Sequence, residues 1–308
     1  MMHSSSFSNV GRSSEFMQSS STHYQHYRLR LYVLDNRRRH FSTPPPVPTP
    51  TPPTPPPSLT DEMAVGIQDA TQMYVKFGVG KRRLEELAKE AGEGEGTLVA
   101  RWQRMMETFL TTQLHVLAGL GYAPNEQGLA LYNTHLSQLL AKSDPSTQEK
   151  LRESGRDTWR EVLCTAFAMD IEEVKANELS IVEARNVMHK VSQRMQEPDI
   201  LEYVAQRCAS TTTAGSSTTP EEMAFKHSVV QDVLVNKVYL GPTSPGSSTT
   251  LVSECGFGEG ERGYVLLQCA MAEHQADPLC AQYIGAAMMR LLQSAGMDMQ
   301  SMSANSSS

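Results

Sequence analysis

The sequence predicts an all-α fold, a helical bundle with a C-terminal helical hairpin. Three observations carry the expectation. Past residue 60, apolar residues recur three and four apart, the period of one helix face. Aromatics make up only 6% of the chain while methionine occurs 17 times, which suits a core of Leu, Ala, Val and Met between helices better than a β-sandwich. Four polar-residue–proline pairs also stand where helices should begin: Asp144-Pro145, Glu197-Pro198, Thr219-Pro220 and Asp277-Pro278. Glu197 is the weakest cap of the four.

Nothing of that pattern occurs at the start. Residues 1–42 read as a targeting presequence. Residues 1–59 hold six Arg, no Lys and only two acids, Glu15 and Asp35. An Arg- and Ser-rich, acid-poor segment such as "HYRLRLYVLDNRRRHFST" has the composition of a mitochondrial import signal, because positive charge is drawn to an anionic membrane and inward by its potential. Cleavage is expected close to Phe41–Ser42, just after Arg39. The expected location is the matrix or the matrix side of the inner membrane, with plastid and cytoplasm as alternatives. Residues 43–58 hold ten prolines and should form a stiff, extended Pro-rich linker. Low hydrophobicity and proline together predict disorder up to residue 58.

The body divides by composition into a helical bundle over 59–209, a low-complexity loop at 210–219, a C-terminal helical segment over 220–296 and a disordered tail at 297–308. Met63, Ile67, Ala70, Tyr74 and Phe77 form a first apolar stripe. Leu84, Leu87 and Ala91 form a second, and Trp102, Met105, Phe109, Val116 and Leu120 a third. Leu129, Tyr132, Leu136 and Leu139 share a fourth. Val174, Ile181, Met188 and Met195 fall seven apart, a narrow seam that suits a neighbouring helix or a partner. No stretch is apolar and long enough to span a membrane.

Charge and cysteine use exclude some classes. The whole chain is −7, and beyond the basic first 59 residues the balance is strongly acidic, so nucleic acid is not an expected partner. The five cysteines are odd in number and irregular in spacing, as reduced thiols are.

Four local patterns invite a chemical reading and fall short of one. Gly258, Gly260 and Gly263 in "CGFGEGERGYVLLQC" fit G-x-G-x-x-G, and "TTLVSE" before them could pass for a strand. Glu254, Glu259 and Glu261 would repel phosphates, however, and no βαβ unit can follow before the chain ends. The stretch is expected to be a loop that opens a buried helix. "GVGKRR" lacks the first glycine and the hydroxyl of a phosphate loop. Cys255, Cys269, His274 and Cys280 are zinc-type ligands, but no C-x₂-C pair exists, and Cys269 and His274 would point about 140° apart on a helix. Glu126 and His135 do not make a di-iron E-x-x-H set, and His115, in an apolar stretch, is expected to be a core histidine. No residue is therefore assigned a catalytic, cofactor-binding or metal-binding role.

The expected function is that of a non-catalytic mitochondrial protein working through protein–protein contacts, as accessory subunit or assembly factor. The alternatives are a helical bundle that binds lipid or a cofactor, and an enzyme whose site is assembled from distant residues, through a cysteine for example. An exposed apolar patch would favour the first reading, a large apolar cavity the second, and a buried titratable cluster the third.

Overall fold

The structure, a computed structural model, describes residues 54–92, 97–209, 219–243, 246–272, 274 and 277–297. The expected presequence and its cleavage point, residues 43–53 of the linker, most of the loop at 210–219 and the tail from 298 lie outside the described residues. Twelve α-helices occur among those described. They are α1 (Asp61–Phe77), α2 (Val79–Gly92), α3 (Leu98–Gly119), α4 (Glu126–Leu140), α5 (Pro145–Phe167) and α6 (Ile171–Ala176). After these come α7 (Ile181–Met195), α8 (Pro198–Ala209), α9 (Pro220–Val233), α10 (Leu251–Glu254), α11 (Gly260–Ala272) and α12 (Pro278–Ser294). A π-helical turn, Leu234–Tyr239, continues α9. The fold is all-α, with one isolated bridge, Pro242 to Thr250, and no strand among the described residues.

The proline pairs start helices as the sequence predicts. Asp144 accepts from the Ser146 and Thr147 amides ahead of Pro145, and Thr219 accepts from Glu222 ahead of Pro220. Asp277 accepts from Leu279 and Cys280 ahead of Pro278. In each case the proline takes the first helical turn, where its missing N–H costs nothing.

Two compact units result. The first comprises residues 54–178 and 252–272 of those described. In it α1, α2, α3 and α5 pack on one another, α4 lies against α3, and α6 and α11 lie against α5 and each other. Its core includes Ile67, Val75, Leu84, Met105, Leu117 and Leu163. Trp102 sits at the centre of an aromatic group, edge-on to Trp159 and Tyr264 at 6.3 and 5.4 Å and tilted on Phe167 at 5.7 Å. Such pairs add about 0.5–1.5 kcal/mol each beyond area burial. Beside them the buried Arg101 pairs with Glu261 and stands 5.5 Å over the Phe167 ring.

The second unit comprises residues 179–251 and 274–297. Here α7 packs chiefly on α12, α8 on α9 and α12, and the π-turn on α7. Ala184, Val187, Met188, Val191 and Met195 of α7 are buried, as are Ile284, Ala287, Leu291 and Leu292 of α12. The buried Lys226 is held at 2.8 Å by Glu222, one turn back on α9.

Three expectations need correction. On α1 the buried face is Ala64, Ile67, Thr71 and Val75, whereas Tyr74 and Phe77 of the expected stripe are exposed. The packed face is the one with smaller side chains, which let α2, α3 and α5 approach closely. The seven-residue seam crosses a helix break: Val174 lies on α6, and Ser180 caps a new helix before Ile181. Met188 and Met195 are buried, but Ile181 is exposed. His115 is not in the core; it is exposed and bonded to the Tyr74 hydroxyl at 2.8 Å. The glycine stretch, by contrast, is the loop before a buried helix that the sequence predicts, and "TTLVSE" ahead of it contains the helical turn α10.

Candidate interaction surface

The second unit presents a rigid end where α7 and α12 begin. The two helices run parallel, because Arg185 meets Asp277 near their starts and His189 meets Tyr283 farther along both, about one turn on in α7 and nearly two in α12, with ring centroids 5.1 Å apart. Each start is capped. The Glu183 amide donates to Ser180 Oγ at 3.3 Å, and the Ser180 amide donates back to the Glu183 carboxylate at 2.8 Å, a reciprocal capping box. Asp277 caps α12, accepting from the Leu279 amide at 3.1 Å and the Cys280 amide at 3.0 Å.

The same Asp277 carboxylate takes a two-pronged contact from Arg185, Nε at 3.1 Å and Nη2 at 2.7 Å. The planar guanidinium matches the carboxylate, so this bond fixes direction as well as distance. His274 Nε2–H donates to the Leu179 carbonyl at 2.8 Å and ties the approach to α12 onto the approach to α7.

This end has a settled charge state. The Arg185 guanidinium is the main cause that lowers the Asp277 carboxyl from its ordinary 3.8 to about 2, and the cap bond from Cys280 adds to it. The bonds to Ser180 hold the Glu183 carboxyl below its usual range. Burial, and then the Asp277 charge, pushes the Cys280 thiol up to about 11. Near neutral pH the carboxylates are ionised and engaged, and the thiol keeps its proton.

On this frame sit apolar side chains without cover. Val182 is 61% exposed, and Ile181 and Leu279 are exposed beside it in sequence or at the matching turn of α12. Exposed apolar residues scattered singly mean little, but here they gather at one end of a preorganised helix pair.

The residues weighed for chemistry fall elsewhere. Gly256, Gly258 and Gly260 take left-handed φ of 86°, 81° and 66°, which turns the chain into α11. A Cβ on Gly263 would stand 2.7 Å from the Phe257 carbonyl oxygen, so this glycine serves close packing. Glu261 is spent on Arg101. Cys269 is buried in α11, while His274 is engaged with Leu179. Among the described residues no group of three or more His, Cys, Asp or Glu is arranged to hold a metal. His135 is buried and bonded to the Tyr122 hydroxyl at 3.0 Å, apart from any Glu126 pairing that the structure records. Burial raises the Cys208 thiol, and burial followed by Glu161 and Asp170 raises Cys164 to about 11.

Sequence reasoning finds one cap of this surface, Asp277, and one of its apolar residues, Ile181 of the seven-residue seam; it misses the Ser180 cap, Val182 and Leu279. The "SIVE" capping box and Asp277-Pro278 are local signals. The Arg185–Asp277 fork joins residues 92 positions apart, and no pattern at that separation announces it. Within the described residues, no helix is long and apolar enough to cross a membrane. No protein-family model matches the chain, and no curated protein or solved structure resembles it closely enough to carry an inference.

Proposed function

We propose that this chain is a non-catalytic protein that works by contact, an accessory subunit or assembly factor, and that a protein partner docks on the paired starts of α7 and α12. The observation that carries the reading is Val182, Ile181 and Leu279 uncovered on a frame already rigid before any partner arrives. A preorganised surface loses little entropy on binding, so a small apolar area suffices to anchor a partner helix. The surrounding polar groups are mixed in sign and internally paired, which favours a protein partner over a strongly charged one.

The state of the cysteines supports the same reading over an enzyme built on a thiol. A cysteine nucleophile needs its thiolate, and burial moves Cys164, Cys208 and Cys280 the other way. The basic, acid-poor composition of residues 1–42 supports a mitochondrial destination. Co-purification of the tagged full-length protein from its own cells tests the docking surface. Val182→Glu combined with Leu279→Glu should abolish recovery of a stoichiometric partner while leaving the helix content unchanged. Equal recovery of that partner by the wild type and the variant would refute the assignment.

A further inference from the structure

The corner where α1 turns into α2 is the most exposed apolar feature among the described residues. Phe77 is 73% exposed, Met73 57% and Val79 48%, and Tyr74 is exposed beside them. Four of the nine exposed large apolar side chains thus fall within residues 73–79.

The corner is built tightly. Only Gly78 separates the helices, and its amide donates to the Tyr74 carbonyl at 3.1 Å. A Cβ on Gly78 would lie 2.9 Å from that oxygen; one on Gly80 would lie 3.0 Å from it and 3.2 Å from Thr112 Oγ1. Underneath, Tyr74 Oη and His115 Nε2 are 2.8 Å apart, and their rings meet edge-on at 5.1 Å. Phe77 and Val79 therefore stand on a fixed turn and project from it.

Charge gathers at the same place. Lys76 lies beside Phe77, and Lys81, Arg82 and Arg83 follow Val79 within about one helical turn. Arg82 and Arg83 are exposed and share the α2 face with Val79. The nearest acids of these helices are Asp69, about two turns before Lys76 on α1, and Glu85 and Glu86, two and three residues after Arg83 on α2. Glu85 is 3.7 Å from Lys81. This basic cluster belongs to a chain of net charge −7.

We propose that the α1–α2 corner docks on an anionic lipid surface, with Phe77, Val79 and Met73 entering the headgroup–acyl boundary and the four cations held at the phosphates. Shape and charge point to the same occupant. A projecting tip has no groove to receive a partner helix, whereas a lipid interface closes around any convex apolar surface. Aromatic and aliphatic side chains ringed by Lys and Arg are the composition of interfacial anchors. Tyr74, apolar in body and polar at its tip, suits the headgroup level. This surface lies in the first unit and does not depend on the partner surface of the second.

Sedimentation of the purified full-length chain with lipid vesicles tests the proposal. Vesicles of phosphatidylcholine containing phosphatidylglycerol should bind the protein, phosphatidylcholine alone should bind it poorly, and added salt should weaken binding. Phe77→Glu should weaken binding by more than about tenfold, given what burial of such a side chain is worth. Arg82→Glu with Arg83→Glu should weaken it by roughly thirtyfold or more, at the usual worth of each surface cation. All three positions are exposed, so helix content by circular dichroism should be unchanged. The basic segment 1–42 is identical in every variant. Binding that survives Phe77→Glu would place the contact elsewhere and overturn the proposal. Failure of the wild type to bind anionic vesicles would overturn it too, and would turn the search toward an acidic protein partner.

Discussion

Asp277 does two jobs at once, and they can be separated. Its carboxylate caps α12 and receives the Arg185 fork, and its side chain is only 10% exposed. Asp277→Asn keeps the cap, since Asn is as good a cap as Asp, and removes the charge. Asp277→Ala removes both. At about 1.4 kcal/mol for each tenfold change in proton affinity, the fall from 3.8 to about 2 is worth about 2.5 kcal/mol at most. Arg185 is 39% exposed, and solvent screens its side of the pair, so about 1–2 kcal/mol is the expected loss in the Asn variant. The Ala variant should lose about 1 kcal/mol more, the usual worth of an N-cap.

Urea unfolding followed by circular dichroism measures both losses. For the Asn variant the midpoint should fall by roughly 0.5–1 M. The pH dependence is the sharper control. A carboxyl whose folded pKa is depressed contributes fully above its unfolded value and loses that contribution as pH falls through the folded one. The gap between wild type and Asp277→Asn should therefore be complete at neutral pH and shrink progressively from about pH 5 to about pH 1, most of it being lost by pH 2. Other carboxyls titrate in both proteins and cancel. An Asn variant as stable as the wild type at neutral pH would refute the reasoning, and so would a gap as wide near pH 2 as at neutral pH.

Two more outcomes follow from the thiols and from the N-terminal segment. Near neutral pH, Cys208 and Cys280, which are buried, and the half-buried Cys164 should react slowly with an aromatic disulfide reagent until the protein is unfolded, because desolvation keeps all three protonated; rapid labelling of all three in the native protein would contradict their environment. The precursor should be cut close to Phe41–Ser42, and changing Arg37, Arg38 and Arg39 to Glu should block import or cutting. N-terminal sequencing of the endogenous protein, beside fluorescence localisation of the variant, decides this: an intact Met1 or Met2 end on a cytosolic protein would remove the mitochondrial reading.

Helix starts were the most legible part of this fold, for a local reason. A cap and its first turn lie within four residues, so Asp144, Thr219 and Asp277 each carry their own signal, whereas the capping box at Ser180 is obscured by the seven-residue apolar spacing that runs through it. Which face of a helix is buried was less legible where the sequence offers two. On α1 the larger side chains, Tyr74 and Phe77, advertise a core face, yet Ala64, Thr71 and Val75 occupy it. Choosing between those faces requires knowing what packs alongside, which is tertiary information. His115 went astray by the same route: its neighbours in sequence are apolar, but its own direction is outward, to Tyr74. The Arg185–Asp277 fork was not legible at all, since packing and not spacing brings it together; the α1–α2 corner lies within residues 73–83, but that Phe77 and Val79 stay exposed there depends on which face of α1 is buried.

The order in which the chain visits its two units explains why α11 looks so unlike its surroundings. Every residue from Gly263 to Met271 is buried, so this helix has no polar face and no amphipathic signature. Its cover comes from α5 and α6, made much earlier in the chain. The ion pairs that fix it are as remote: Arg262 with Glu173 across 89 positions, and Arg101 with Glu261 across 160. Between those partners the chain builds most of the second unit, then returns to complete the first. Until α11 arrives, Trp102 lacks Tyr264 and Arg101 lacks Glu261, which leaves an aromatic surface and a cation without their native partners. Closing that surface requires one of the longest loop closures in the fold, with the entropic cost that such a separation carries. The run "GYVLLQC" is buried on all sides because α5 and α6 and the rest of the first unit enclose it, not because its own sequence marks one face for a core.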